Sequence, residues 1–491
     1  MTSLNLQHAS LWQTRAHIRG RWLDGDNGFF DVTDPAGGGL VARVAELSPA
    51  QVRSAVDAAA EAQPAWAALS ADARADFLQA WYAKVKEHRE DLARLMTLEQ
   101  GKPLGEARAE IDYAASYIRW YAEEARRIVG ELISLPQNDR AGLVSYTPVG
   151  VVAAITPWNF PSAMITRKVA PALAAGCSVV LKPAAETPLS ALALMALAEE
   201  CGIAPGVINV VTGTDAPAIG EVLTGDPRVR KLSFTGSTRV GKALMRACTD
   251  TMKRTSMELG GNAPLIVLDD ADLDLAVAGT LASKFRNAGQ TCICANRLLV
   301  HEAVYERFLD KLVAAVSGMT PGSGFDEQTT LGPLIHRRAL ESVQAKVQDA
   351  LAQGARLLTG GQAIEGQGCF FQPTVLADVN VSMQVFREEI FGPVAPVTRF
   401  ACDREAVALA NDTPFGLAAY VFGKDTGRLW QISQSLAYGM VGVNETAISS
   451  AQIPFGGVKE SGHGREGARQ GLMDYLDTRY TCLGNLIGQG A

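Results

Sequence analysis

Three short stretches hold residues whose types and spacing could do chemistry together. In Gly289-Gln290-Thr291-Cys292-Ile293-Cys294 a cysteine follows a glycine and small polar residues, in a loop ahead of a strand. Such a thiol is a nucleophile where its thiolate is favoured, although a free cysteine taken alone is more often a buried small hydrophobe. In Met257-Glu258-Leu259-Gly260-Gly261-Asn262 a carboxylate stands beside paired glycines just before a new strand. Most lone glutamates are solvated charges; the flanking leucine and glycine pair place this one at a tight turn. In Thr156-Pro157-Trp158-Asn159-Phe160-Pro161 an asparagine lies between a strand and a helix, where its amide can cap the helix or donate into a cleft.

A fourth stretch, Phe234-Thr235-Gly236-Ser237-Thr238-Arg239-Val240-Gly241, closes a strand and opens a helix. Glycines there let a pyrophosphate approach the backbone and the helix N-terminus. Gly236 to Lys242 nearly spells the phosphate loop of nucleoside triphosphatases, but Ala243 occupies the place of its magnesium-binding hydroxyl. That rival falls.

These groups need a scaffold, and its rhythm changes near Gly150. The preceding chain is mostly helical after a β-rich stretch around 16–44. Ser48-Pro49-Ala50-Gln51 forms a capping box. Phe77, Leu78, Trp81, Val85, Leu92 and Leu95 predict a helix over about 72–98, and a third covers 106–129. Beyond Gly150 short apolar runs at 151–155, 178–181, 207–211 and 229–234 alternate with helical segments. That alternation predicts a parallel sheet covered on both faces. A second alternating block, 264–443, carries apolar runs at 265–267, 297–300, 371–376 and 394–400, and 475–483 reads as a final strand.

At 491 residues the chain is too long for one core. Its net charge of -7 argues against a general nucleic-acid or membrane-surface binder. Eight scattered cysteines and six isolated histidines show no disulfide framework and no zinc spacing, so no metal is expected. No secretory signal is visible and no apolar run is long enough to span a bilayer. The expectation is a cytoplasmic protein.

Together, Pro157-Trp158-Asn159-Phe160-Pro161, Glu258-Leu259-Gly260-Gly261 and Gly289-Gln290-Thr291-Cys292 resemble the aldehyde dehydrogenase superfamily, in its order and spacing and over essentially the whole chain. The resemblance implies an α/β fold: a Rossmann-type cofactor domain from 1–126 and 149–258, a catalytic domain from 259–473, and a small β oligomerisation part from 127–148 and 474–491. It implies that Cys292 attacks an aldehyde, that Asn159 and the Cys292 N–H form the oxyanion hole, and that Glu258 activates the water that hydrolyses the thioester. Lys168 and Glu466 are then candidates for a proton path. A base at Glu258 argues against an acylating enzyme that releases a coenzyme A thioester. Cys292, Glu258 and Asn159 together argue against a silent structural protein of this fold.

By the same resemblance Thr156, Pro157, Trp158, Gly236, Ser237, Gly241, Leu259 and Gly260 join Glu258 around the cofactor. Lys182 binds the adenosine ribose, Glu389 the nicotinamide ribose, and Phe391 packs on the ring. Members that require NAD tend to carry glutamate three residues after that lysine; here it is Ala185, which favours NADP, or use of both NADP and NAD. Within the superfamily the chain is most similar to succinate-semialdehyde dehydrogenases, whose distal-carboxylate residues match Arg167, Arg286 and Ser449. An arginine fork suits a planar carboxylate, but glutarate semialdehyde and small sulfonated aldehydes present similar charges. Cys294, two residues from the nucleophile, is a candidate redox partner for it. A homodimer or homotetramer is expected.

Overall fold

The computed structural model describes residue 4 and residues 6–486. Near-continuous apolar runs become strands buried on both faces, and two sheets result. The first has eight strands in the order Gly462–His463, Arg254–Glu258, Val229–Thr235, Val151–Ile155, Ser178–Lys182, Ile208–Val210, Ala16–Ile18, Arg21–Leu23. Its five middle strands, from Arg254–Glu258 to Ile208–Val210, run parallel. Alternate residues of one strand feed opposite cores: Val152 and Ala154 join one cluster, Val151 and Ala153 the other. That is the two-sided burial that parallel strands require.

The second sheet orders Arg356–Thr359, Thr374–Ala377, Val394–Phe400, Ala295–His301, Ala263–Val267, Ala418–Phe422 and Met440–Val443. Only the first of these runs antiparallel to its neighbour. A single apolar cluster reaching from Ala263 to Phe455 packs around it. A third sheet pairs Leu476–Leu483 along the full length of Ala141–Pro148, with Glu131–Ser134 outside. Leu132 and Tyr480 stand exposed on it. Residues 487–491 of the expected tail segment lie outside the described residues. Among the described residues no helix is long and apolar enough to cross a membrane.

Most element boundaries fall within a few residues of those the pattern predicts, and Ser48 and Gln51 make their reciprocal capping box. Two elements differ. The helix expected over 72–98 is two, Ala71–Glu87 and Arg89–Gln100, because His88 leaves helical geometry at φ -98°, ψ 22° and starts the second. The strand expected over 371–376 begins only at Thr374, since Pro373 has no N–H to give a ladder.

A buried cation ties the residue that leads into the second sheet to a helix that covers it. Arg297, on the central strand of the second sheet, is 1% exposed. Its guanidinium donates to Asn262 O at 2.8 and 3.1 Å, Leu409 O at 2.8 Å, Ala410 O at 2.8 Å and the Tyr438 hydroxyl at 2.9 Å. Lysine has no fork to span these acceptors, and each one stranded costs about 1–3 kcal/mol. Arg297→Lys should lower the unfolding free energy by about 3 kcal/mol or more, read from urea midpoints; a change under about 1 kcal/mol would refute the tie.

Candidate active site

Glu258 is the last residue of its strand, and Ala263 the first of the next sheet. The four residues between them carry the chain from one sheet to the other. A Cβ on Gly261 would strike the Cys292 carbonyl, so the bare backbone there admits the cysteine loop. That loop turns through Asn287, Ala288 and Gly289, all at positive φ, before the strand Ala295–His301. Glycine is needed at 289, where a Cβ would collide with the Gly392 carbonyl. Cys292 is half-buried and borders a cavity of about 220 Å³ shared with Asn159, Glu258 and Phe391. Burial pushes its thiol up to about 12, with Arg167 opposing and Glu389 reinforcing.

Asn159 is fixed from two sides. Its carbonyl accepts from Lys102 Nζ at 2.8 Å and Asn287 Nδ2 at 2.9 Å. Its amide donates to Gln290 O at 2.9 Å. An amide nitrogen carries two hydrogens, so one remains for an oxygen in the cavity. Lys102 is itself buried against Glu110, and Glu110 accepts from the Ser162 and Ala163 N–H groups at 3.0 and 3.3 Å. One ion pair therefore grips both the Asn159 loop and the start of the helix Ala163–Ala175.

That helix carries Arg167 and Lys168, both buried, which converge on Glu466. Arg167 Nε lies 2.8 Å from Glu466 Oε2, and its guanidinium is 3.9 Å from the centroid of the Phe455 ring. Glu258 is buried with neither carboxylate oxygen hydrogen-bonded among the described residues. Burial and the neighbouring Glu466 hold its carboxyl well above the usual range, while Arg167 and Lys168 pull the other way. Glu466 is held below the ordinary carboxylate value, since Lys168 and Arg167 outweigh its burial. Proximity therefore divides two adjacent acids into a proton holder and an anion. Gly456 permits this, because a Cβ there would press on Glu258 Oε1.

The cavity's other side fits a nicotinamide dinucleotide. Gly236 opens the turn into the helix Thr238–Cys248, capped by Ser237, and its N–H bonds to Glu258 O at 3.0 Å. A Cβ on Gly241 would overlap Leu259, and one on Gly260 would crowd Glu389. Glu389 accepts from Gly261 N at 3.0 Å and is pushed up to about 7 by burial. Trp158 and Phe391 meet edge to face at 5.6 Å. Thr156 Oγ1 is buried without a partner among the described residues. Among the described residues the hydrogen bond of Lys182 Nζ is to its neighbour's carbonyl, Pro183 O, at 3.2 Å, and Ala185 is half-buried. These are the donors and bare backbone that a ribose and pyrophosphate need.

Of the three expected tail residues, Arg286 and Ser449 line one cavity of about 210 Å³, with Tyr113, Phe160 and Glu106. Arg286 is exposed, lies over the Phe160 ring, and forms no ion pair among the described residues. Ser449 Oγ is bonded to the Tyr113 hydroxyl. Arg167 is not on that wall; buried, it needs the counter-charge that Glu466 supplies. Cys292 and Cys294 are both free thiols, and the Cys294 sulfur faces Lys284 O at 3.6 Å. Away from the site, His8, His88 and Glu200 bring three ligand atoms within 4.8 Å. The two imidazoles stack at 14°, however, so one ion cannot lie in both ring planes.

Lys102, Glu110 and Asn287 escape sequence reasoning. An ion pair between a lysine in the turn before a helix and a glutamate eight residues on gives no sign of what it grips. Asn287 alone offers a cue, since asparagine is enriched at positive φ and it stands beside the nucleophile's loop.

The family model described as "Aldehyde dehydrogenase family" matches residues 22–481. A 3-sulfolactaldehyde dehydrogenase from Pseudomonas putida is 55% identical over 98% of this chain and 99% of its own. An NADP(+)-linked succinate-semialdehyde dehydrogenase from Escherichia coli (strain K12) is 54% identical over 98% and 100%. A crystal structure of an E. coli NADP-dependent enzyme superposes with a TM-score of 0.96, at 54% identity, over 98% of this chain and 100% of that one. The chain belongs to the aldehyde dehydrogenase family, and so is an oxidoreductase working with a nicotinamide cofactor.

Because burial raises the thiol, the thiolate is scarce at neutral pH in the cofactor-free protein. Alkylation of Cys292 by iodoacetamide, followed by mass spectrometry, should accelerate about tenfold per pH unit between about pH 7 and 9. A rate already level at pH 7 would show a thiolate held by a cation instead.

Proposed function

We propose that the protein oxidises an aldehyde with an anionic tail, foremost succinate semialdehyde to succinate. The observation that carries this reading is the unpaired Arg286 guanidinium on the same cavity wall as Ser449. The relatives' acids, a sulfonate in one and a carboxylate in another, point the same way. Glutarate semialdehyde and small sulfonated aldehydes remain candidates of the same class.

Cys292 first loses its thiol proton to solvent and adds as thiolate through sulfur to the aldehyde carbon, and the resulting oxyanion is met by the free Asn159 amide hydrogen and the Cys292 N–H. One such donor is worth about 3 kcal/mol of transition-state stabilisation. A bound nicotinamide dinucleotide supplies the hydride acceptor. Cys292 is then left as a thioester, and Glu258, once it has released the proton it holds at rest, takes a proton from the water that attacks it. Acid and free thiol result. Glu466 and Lys168, adjoining Glu258, carry that proton onward. Thr156, Lys182, Ser237 and Glu389 hold the cofactor, and Ala185 leaves room and charge balance for a 2′-phosphate, so NADP is the preferred form, with NAD as second choice. Seven strands of the eight-stranded sheet belong to the proposed cofactor domain (1–126 and 149–258), and the proposed catalytic domain (259–473) carries the seven-stranded sheet and lends the eighth strand, Gly462–His463. The three-stranded sheet, with exposed Leu132 and Tyr480, joins copies into a dimer or tetramer. The cytoplasm is the proposed compartment, where free thiols persist. A Cys292–Cys294 disulfide that silences the enzyme under oxidation stays part of this reading.

The test is kcat/KM for succinate semialdehyde, glutarate semialdehyde and butanal, each with NADP and NAD. The anionic aldehydes should win by about a hundredfold, and Arg286→Met should remove most of that margin while sparing butanal. Equal rates for butanal would leave only the general aldehyde dehydrogenase assignment. Separately, Glu258→Gln should keep a stoichiometric burst of reduced cofactor while steady-state turnover falls about a hundredfold; loss of the burst would assign Glu258 to acylation.

A further inference from the structure

Resting on the anionic-tail reading, the geometry points to Glu106 as the residue that limits the tail to a single negative charge. Four charged side chains border the Arg286–Ser449 cavity, and they are unequal. Lys102 and Glu110 are each 1% exposed and closed on one another, so neither has charge to spare. Lys102 is further spent on Asn159 O, and Glu110 on the Ser162 and Ala163 N–H groups. Arg286 and Glu106 are left. Arg286 is exposed and forms no ion pair among the described residues. Glu106 is half-buried, and the bond recorded for its carboxylate is a neutral one, from Asn287 N to Oε2 at 2.8 Å. That contact fixes the carboxylate next to the residue that bears the guanidinium. The remaining polar groups, the Ser449 and Tyr113 hydroxyls, are neutral and bonded to each other.

Among the described residues the wall thus offers one unpaired cation, Arg286, and one fixed carboxyl, Glu106, which burial pushes up while Lys102, the Asn287 N–H and Arg286 favour its ionised form. A carboxylate or sulfonate tail is matched by Arg286, with the hydroxyls completing its hydrogen bonds. A dianionic head has a second charge that nothing on this wall matches, and as Glu106 ionises with rising pH it faces that head across a small, partly desolvated space where like charges repel strongly. A charge-selective wall of this kind accepts carboxylates and sulfonates alike and turns away phosphorylated aldehydes.

Two isosteres of succinate semialdehyde test this: 3-oxopropylphosphonate, which passes from monoanion to dianion between about pH 6 and 9, and 3-oxopropanesulfonate, a monoanion throughout. The ratio of their kcat/KM values cancels titration of the enzyme itself. In the unsubstituted enzyme the phosphonate-to-sulfonate ratio should fall about tenfold or more over that range. In Glu106→Gln, which keeps an acceptor for the Asn287 N–H, the fall should shrink to about threefold or less. An equal fall in both proteins overturns the role of Glu106, and a flat ratio in the unsubstituted enzyme does so without any variant. If butanal matches the sulfonate, the anionic-tail reading fails and takes this one with it. If the sulfonate beats butanal while the ratio stays flat, only Glu106 is lost.

Discussion

The four residues Leu259–Asn262, which carry the chain between sheets, are the constraint on which the rest depends. A crossing this short brings the end of Arg254–Glu258 and the start of Ala263–Val267 close together, and every chemical group is arranged around it. Four backbone groups of the crossing are held from outside it: Leu259 N by Ser461 O, Gly260 O by Ser461 Oγ, Gly261 N by Glu389, Asn262 O by Arg297. Even the Asn262 side chain is held, its amide donating to Phe386 O and its oxygen accepting from Asn296. A backbone anchored at every residue in this way cannot drift without stranding polar groups. Glu258 and Cys292 therefore inherit a rigid separation from a connection that has no regular structure of its own.

A second constraint is electrostatic. Four ionisable side chains, Glu258, Glu466, Arg167 and Lys168, are buried together, an arrangement that costs a great deal unless charges balance. Two cations against one ionised acid and one proton-holding acid leave a single surplus positive charge near the nucleophile. That surplus favours any anion formed beside Cys292, and it comes from groups that never touch the substrate in this arrangement. The price is stiffness, since none of the four can leave singly.

Sequence reasoning reaches some of this and misses the rest for identifiable reasons. Glu258 and Asn159 were readable as candidates because their motifs lie at or just past the carboxyl end of a strand, where ligands gather, and Cys292 because a glycine-led polar motif holds it just before one. The capping residues and the two-sided apolar strands were legible for the same local reason. What escaped was set by contacts between distant segments. The partnership of Arg167 with Glu466 spans most of the catalytic half of the chain, and no periodicity announces it. Lys102 reads as an ordinary lysine after a glycine until its ammonium is seen on the Asn159 carbonyl. His88 ends one helix and begins the next through a single residue's dihedral angles, while the apolar spacing runs on unbroken across it.

The separation of the two cavities has a consequence on a longer timescale. The groups around Cys292 are locked by the inter-sheet crossing, whereas Arg286, Glu106, Tyr113 and Ser449 border a different space and leave that crossing untouched. Substitutions on the second wall can be sampled one at a time without unmaking the chemistry on the first. A lineage built on this scaffold is free to diverge toward new acids through gene duplication, each copy keeping a working nucleophile while its recognition wall wanders.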